Sequence, residues 1–313
     1  MFLRYHGFAG KVAGPLPSPR TDRHTKGPFV PLVNPLGMLR AASAGGYSVG
    51  AFNLVDYLTA ETIVEAAEEK RAPVILQTSS GTIDRFGVET LVGMARLIAA
   101  ESPVPVALHL DHGKDRTVIS QAISAGYNSV MIDGSHLPFD ENVALTKDVV
   151  EEAHAQGVAV EGEIGVVAGV EDDIVVNQDA AIYTTPEEAV EFQRRTGIDF
   201  LAPAIGTAHG FYKVKPRLDI ATLAAIHREA DYPLVVHGGT GLPFEVVREL
   251  TRAGGAKFNV STQIKQTYID SLYEYIESNR AEYHPLRLLE SARRRLVDMV
   301  AEYIDLLESS GKA

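Results

Sequence analysis

The sequence predicts an α/β chain folded as a (β/α)8 barrel. Three observations predict it: eight short apolar, β-branched runs, longer segments of helical period between them, and no composition shift that would begin a second domain. The runs are YSVGAFN, PVILQTS, PVALHLD, NSVMIDG, VAVEGEIG, DFLAPAIG, PLVVHGG and AKFNVST. They read as the repeated strands of βα units, and eight such units in about 250 residues match a closed barrel. A doubly wound open sheet shares the strand count and differs in closure.

Taken in order, residues 1–30 carry Arg4, Lys11, Arg20, Arg23 and Lys26 against the single acid Asp22, spaced by Gly and Pro without periodicity. They are expected to form a flexible N-terminal arm ahead of one barrel over residues 31–313. The helix candidates are LTAETIVEAAEEK, ETLVGMARLIAAE, DRTVISQAISAG, ENVALTKDVVEEAHAQG and PEEAVEFQRRTG, with apolar residues at i, i+3 and i+4. Thr185-Pro186-Glu187-Glu188 supplies a cap, a proline at the first helical position and the acid of a capping box. Gly126, Gly157 and Gly197 follow helices as C-terminal stops do. Residues 263–313 supply the last barrel helix and an Arg-rich helical tail.

Composition narrows the function. The 313 residues are 45% hydrophobic, and 29 Lys and Arg against 41 Asp and Glu give a formal charge of −12. Such a balance disfavours nucleic acid or an anionic membrane as a partner. With no cysteine, disulfides and thiolate zinc sites are excluded, so any metal must be held by His and carboxylates. No apolar run is long enough to span a bilayer, and MFLRYHGFAGK lacks the apolar core of a secretory signal, which predicts a cytoplasmic protein.

The unusual residues gather at one rim. Active sites of this barrel lie at the C-terminal ends of the strands. There the third run ends in Asp111 and His112, the fourth in Asp133, the fifth in Glu161 and Glu163, the sixth in His209 after AIGTA, and the seventh in His237. Three imidazoles from three strands match a His₃ zinc site with an open fourth position. Asp111 and His112 are neighbours, which in a regular strand point to opposite faces, so the strand must bend there; Gly113 permits a turn. His109 lies deeper, with a hydrogen-bonding or packing role. After the seventh and eighth runs, HGGTGLP and NVSTQ place Gly238, Gly239, Thr240, Asn259, Ser261 and Thr262 together. Exposed backbone N–H groups beside hydroxyls suit an oxyanion at the barrel's habitual phosphate site, and an ordinary tight turn is the other reading.

These residues resemble the class II, zinc-dependent ketose-bisphosphate aldolases, which include fructose- and tagatose-bisphosphate aldolases. The likeness runs from about Pro31 to the C-terminus. It is carried by GGYSVGAFN, EAAEEKRAPVILQTS, LHLDHG, SVMIDGSHLPFDENV, VEGEIG, GVEDD, AIGTAHGFYK, VVHGGTGLP and KFNVSTQ. The resemblance implies that His112, His209 and His237 hold a catalytic zinc, and that Asp133 and Glu163 form a second divalent site. It makes Asp111 the proton-transfer residue, and gives Glu171, in the mobile GVEDD loop, the proton at the enediolate carbon. Gly210, Gly238, Thr240, Asn259 and Thr262 would bind the phosphate and hydroxyls of dihydroxyacetone phosphate, with Asn53 and Ser79 nearby and a monovalent cation among them. A homodimer or homotetramer is the family expectation.

Aldol cleavage of a ketose phosphate needs a base for the C4 hydroxyl and an electron acceptor at the ketone, which an aspartate and a Lewis-acidic metal supply. A lysine Schiff base is then unnecessary. The nearest candidate, Lys257, starts the eighth run and is expected at the opposite rim. Three positions depart from the family. Ala168 replaces the first of two glycines before the loop acid, stiffening the loop. Ser261 stands where relatives carry an acid or alanine. His284-Pro285-Leu286-Arg287 replaces Asp-Pro-Arg, whose arginine reaches a 6-phosphate. A catalytically silent subunit that stabilises a partner, an aldolase acting on a non-bisphosphate ketose 1-phosphate, and a zinc barrel hydrolase are the alternatives. Retention of every metal ligand and of Asp111 argues against the first. The absence of a His-x-His pair from the first run argues against the last.

Overall fold

The eight predicted runs form eight parallel strands that close on themselves. The computed structural model describes residues 31–113, 115–171, 174–176, 182–210 and 216–313, with backbone alone for 168–171, 174–176 and 209. Residues 1–30, the expected arm, lie outside the described residues. Strands β1 (Val49–Asn53), β2 (Val74–Thr78), β3 (Val106–Gly113), β4 (Ser129–Ile132) and β5 (Ala159–Ile164) are followed by β6 (Ala168–Glu171) and β7 (Ile174–Val176). Then come β8 (Phe200–Pro203), β9 (Ala208–His209), β10 (Leu234–Val236) and β11 (Gly255–Val260). The barrel order is β1-β11-β10-β8-β5-β4-β3-β2, and β7-β6-β9 make a separate three-stranded sheet. Closure settles the choice against an open sheet.

Alternation within each strand sorts its side chains between two cores. Outward residues such as Phe52, Leu76, Leu108, Val160 and Phe258 pack against the helices. Inward residues at the lower end, among them Val49, Ile75, Ala107, Ala159, Phe200 and Val235, form a second apolar cluster. Further along the same inward rows the chain places Gln77, His109, Glu161 and His237, each two residues on, and Asn53, four residues beyond Val49, all buried. The barrel interior therefore changes from apolar to charged along its axis.

Helix α1 (Leu36–Gly45), which the sequence reading did not foresee, closes the apolar end by inserting Leu39 and Ala42 into that inner cluster. The outer helices are α2 (Tyr57–Lys70), α3 (Ser80–Phe86), α4 (Val88–Ala99), α5 (Arg116–Ala125), α6 (Phe139–His154), α7 (Pro186–Thr196), α8 (Ile220–Glu229), α9 (Phe244–Arg252) and α10 (Thr262–Ser278). Helix α7 has the predicted capping box, with Thr185 and Glu188 each accepting from the other's backbone N–H. The tail is α11 (Pro285–Leu306), which lies on α2 through the Arg293–Glu65 and Lys70–Asp305 pairs. It also ties to the barrel, because Ser48 N donates to Leu307 O at 3.0 Å. Among the described residues no helix is long and apolar enough to cross a membrane.

Three local expectations are corrected. The bend after Asp111 is not made at Gly113. His112 itself takes a left-handed backbone, φ 49°, and the β3–β4 register shifts between Leu110 and Gly113. Gly113 serves close approach instead, since a Cβ there would lie 2.5 Å from Met131 O. The stiffening expected from alanine at 168 has no positive φ to act on: Ala168–Glu171 and Ile174–Val176 pair antiparallel, and Ala168 pairs in parallel with Ala208. Extended pairing makes no demand for positive φ, so alanine at 168 meets no strain there. Lys257 is not at the opposite rim; it is fully buried inside the barrel.

Candidate active site

Asp111 is the centre of the rim cluster, and its neighbours explain how a carboxylate tolerates burial. Asn53 Nδ2 donates to Oδ2 at 2.8 Å and Asn259 Nδ2 donates to Oδ1 at 3.1 Å, so both oxygens are engaged. Each amide is in turn held from behind: Gln77 Nε2 donates to Asn53 Oδ1 at 3.0 Å, and Lys257 Nζ to Asn259 Oδ1 at 2.8 Å. The left-handed turn at His112 swings its ring back toward this carboxylate. Ligand atoms of Asp111, His112 and His237 then lie within 4.8 Å of one another, as do those of His112, Asp133 and Glu163.

The two described histidines share this group with their partners. His112 and His237 meet edge to face with centroids 4.7 Å apart. His112 Nδ1 is 3.2 Å from Asp133 Oδ2, and His237 Nδ1 is 3.2 Å from Glu163 Oε2. On its other side His237 Nε2 contacts Glu161 Oε1 at 2.7 Å, and Glu161 Oε2 accepts from Lys257 at 2.8 Å. Burial alone would lower the His237 pKa, but the contacts to Glu161 and Glu163 outweigh it and carry it up to about 9. Burial would raise Glu161, yet Lys257, His237 and His109 hold it well below the usual carboxylate range. Burial and then Lys257 push His109 well below its ordinary value; its Nδ1 lies 2.8 Å from Ser129 Oγ.

Imidazoles and carboxylates, gathered without a thiolate, are a donor set that suits a divalent metal such as zinc. His209 lies in β9 opposite Gly169 of β6. Gly238, at φ 68°, packs so tightly against this strand that a Cβ would stand 2.5 Å from Ala208 O. That contact brings the backbone of the His209 strand to the end of β10, next to His237. Glu171 ends β6, and its described part is backbone.

The remaining predicted residues line the rim. Ser79 caps α3 and accepts from Thr82 N. Thr240, Asn259 and Ser261 are buried. Ser261 precedes Thr262 at the start of α10 without using its hydroxyl as a cap. Gly239 is held against the Phe258 ring, and Gly210 has φ 80°. The sequence reading assigned no role to Gln77, Glu161 or Lys257. Strand alternation was the signal, since Gln77 shares a face with Ile75, and Lys257 shares one with Asn259.

Residues 33–312 match the family model described as fructose-bisphosphate aldolase class-II. The chain is 42% identical over 281 residues to the D-tagatose-1,6-bisphosphate aldolase subunit GatY of Klebsiella oxytoca, covering 90% of this chain and 99% of that one. It is also 42% identical over 288 residues to a Bacillus subtilis (strain 168) protein named "Probable fructose-bisphosphate aldolase", covering 91% and 100%. The solved structure of the YdjI aldolase from Escherichia coli K12 superimposes with a TM-score of 0.80 at 31% identity, covering 90% and 99%. The chain belongs to the class-II fructose-bisphosphate aldolase family.

Proposed function

We propose that the protein catalyses reversible aldol cleavage of a ketose 1,6-bisphosphate, fructose- or tagatose-bisphosphate-like, to dihydroxyacetone phosphate and an aldehyde. The observation that carries this reading is the placement of Asp111, fixed by two amides within ligand-atom reach of His112 and His237. His112, His209 and His237 would hold zinc, with Asp133 and Glu163 as a second divalent site, and the metal supplies Lewis acidity toward the ketone oxygen.

The chain's own residues do the rest. Asp111 accepts the C4 hydroxyl proton as the C4 oxygen becomes the aldehyde carbonyl and the C3–C4 bond breaks. The electron pair stays on C3, and Glu171 moves the proton at that carbon to complete dihydroxyacetone phosphate. Gly210, Gly238, Gly239, Thr240, Ser261 and Thr262 cradle the phosphate with backbone N–H groups and hydroxyls. Asn53, Ser79 and Asn259 orient the hydroxyls, and a monovalent cation fits beside the phosphate.

One observation favours a second reading of the substrate. Arg287 Nη1 donates to Glu282 Oε2 at 2.7 Å, so a carboxylate of the same chain already compensates its charge. A ketose 1-phosphate without a second phosphate then competes with the bisphosphate, and relative kcat/KM on the two compounds decides between them. The reaction class is tested by incubating the protein with dihydroxyacetone phosphate in deuterated buffer and following one hydroxymethyl proton by NMR. Exchange that a chelator abolishes and zinc restores is expected. No exchange by folded, zinc-loaded protein would overturn the reading.

A further inference from the structure

We propose that Lys257 is a positioning residue that sets the donor direction of both the zinc ligand His237 and the amide serving Asp111. The inference rests on the aldolase reading above and deepens it. Lysine has three donors and no acceptor, so any oxygen it faces must accept. Its Nζ faces Asn259 Oδ1 at 2.8 Å, which turns the other end of that amide, the donor Nδ2, toward Asp111. The second oxygen it faces is Glu161 Oε2, also at 2.8 Å, and this fixes the carboxylate so that Oε1 lies 2.7 Å from His237 Nε2. A proton on Nε2 leaves Nδ1 directed at the donor group that contains Glu163 and His112.

Packing makes these directions hard to relax. Lys257, Glu161 and His109 are fully buried, and His109 Nε2 stands 3.4 Å from Glu161 Oε2 as a further neighbour of the same oxygen. Asn259 is buried as well, with Oδ1 accepting from Lys257 and Nδ2 donating to Asp111. The two arms serve different steps. The Glu161 arm orients a metal ligand and bears on zinc affinity. The Asn259 arm serves the carboxylate that takes the C4 hydroxyl proton, and bears on cleavage rather than on proton exchange at C3.

The experiment compares the full-length protein with Lys257→Met in three measurements. They are zinc dissociation constant by competition with a chelating dye, proton exchange of dihydroxyacetone phosphate at saturating zinc, and cleavage rate. Zinc is expected to bind about 10- to 100-fold more weakly. At saturation, exchange should stay within about 3-fold while cleavage falls more than about 10-fold. A residue that only fills space would shift stability without this split. Because Lys257→Met leaves Glu161 as a buried carboxylate without its lysine, the double variant Lys257→Met/Glu161→Gln removes both charges together. The exchange-to-cleavage split should persist in it. Exchange in the wild type with an unchanged dissociation constant and an unchanged ratio in a folded variant overturns the inference alone. No exchange in the zinc-loaded wild type overturns the aldolase reading and this inference with it.

Discussion

Replacing Asp111 by asparagine keeps the volume and inverts the hydrogen bonding. Both oxygens now accept from amide nitrogens, so an amide at 111 must aim its own NH₂ at the donor of Asn53 or of Asn259. Asp111→Asn is expected to lower the cleavage rate about 10²- to 10⁴-fold while zinc binds within about tenfold, which kinetics and chelator competition would read separately. His237 gives a pH signature in the metal-free protein. Its folded pKa, about 9, exceeds the ordinary 6.5, so its contribution is fully present below 6.5 and is lost as pH rises through about 9. The melting temperature in chelator should fall by several degrees across that window, and His237→Asn should flatten the slope. Glu161 has the opposite sign: its lowered pKa contributes above the ordinary carboxylate value and persists into strong acid. Asp111, His112 and His237 were legible in the sequence because polar residues ending apolar runs are costly without partners. Lys257 was misplaced because its position was counted from the start of its run. The long side chain instead reaches along the barrel axis to Asn259.

At the scale of elements, the end of β10 approaches β9 closely, and Gly238 permits it. A methyl group there meets backbone atoms of Ala208 at 2.5 to 2.8 Å, which cannot rotate away, and the positive φ resists a side chain as well. Gly238→Ala is expected to cost about 1–3 kcal/mol in urea unfolding and to weaken zinc binding more than about tenfold by displacing the His209 strand. The control is Gly93→Ala, on the exposed face of α4 with nothing within 4 Å of the added methyl, which should stabilise by about 0.5–1 kcal/mol. The strands were readable because each is a buried run of parallel-sheet type, and α7 because Thr185 and Glu188 announce its start. The small β7-β6-β9 sheet was not readable, since Ala168 finds its partner at Ala208, far along the chain. Helix α1 was missed for a related reason: its apolar stripe has a purpose only against the barrel mouth, which no local pattern shows.

Across the whole molecule the two ends of the barrel divide stability from chemistry. Charged and amide side chains occupy the C-terminal ends of the strands, while α1 and the end of α11 close the other end with apolar groups. That division was implicit in the sequence, where Asp111, His112, Asp133 and His237 fell at or just after the ends of runs, but its depth was not. Two of the inward rows carry lysine and glutamate at mid-barrel as a buried pair, Lys257 and Glu161, and a pair so far apart in sequence shows only once the barrel closes. The division makes a prediction at Leu307, which is fully buried, accepts from Ser48 N and reaches the neighbourhood of Gly50 in β1. Leu307→Ala removes apolar contacts at the seam of β1 with α11 and should cost about 2–5 kcal/mol in urea unfolding. Leu286→Ala, in the first turn of α11 and 59% exposed, should change stability by less than about 0.5 kcal/mol. Because Ser48 and Leu307 lie at the strand starts, away from Asn53 and Asn259, the cleavage rate of Leu307→Ala at 25 °C should remain within about threefold of wild type. A large loss of rate without a loss of stability would show that the lower seam transmits to the site, contrary to this division.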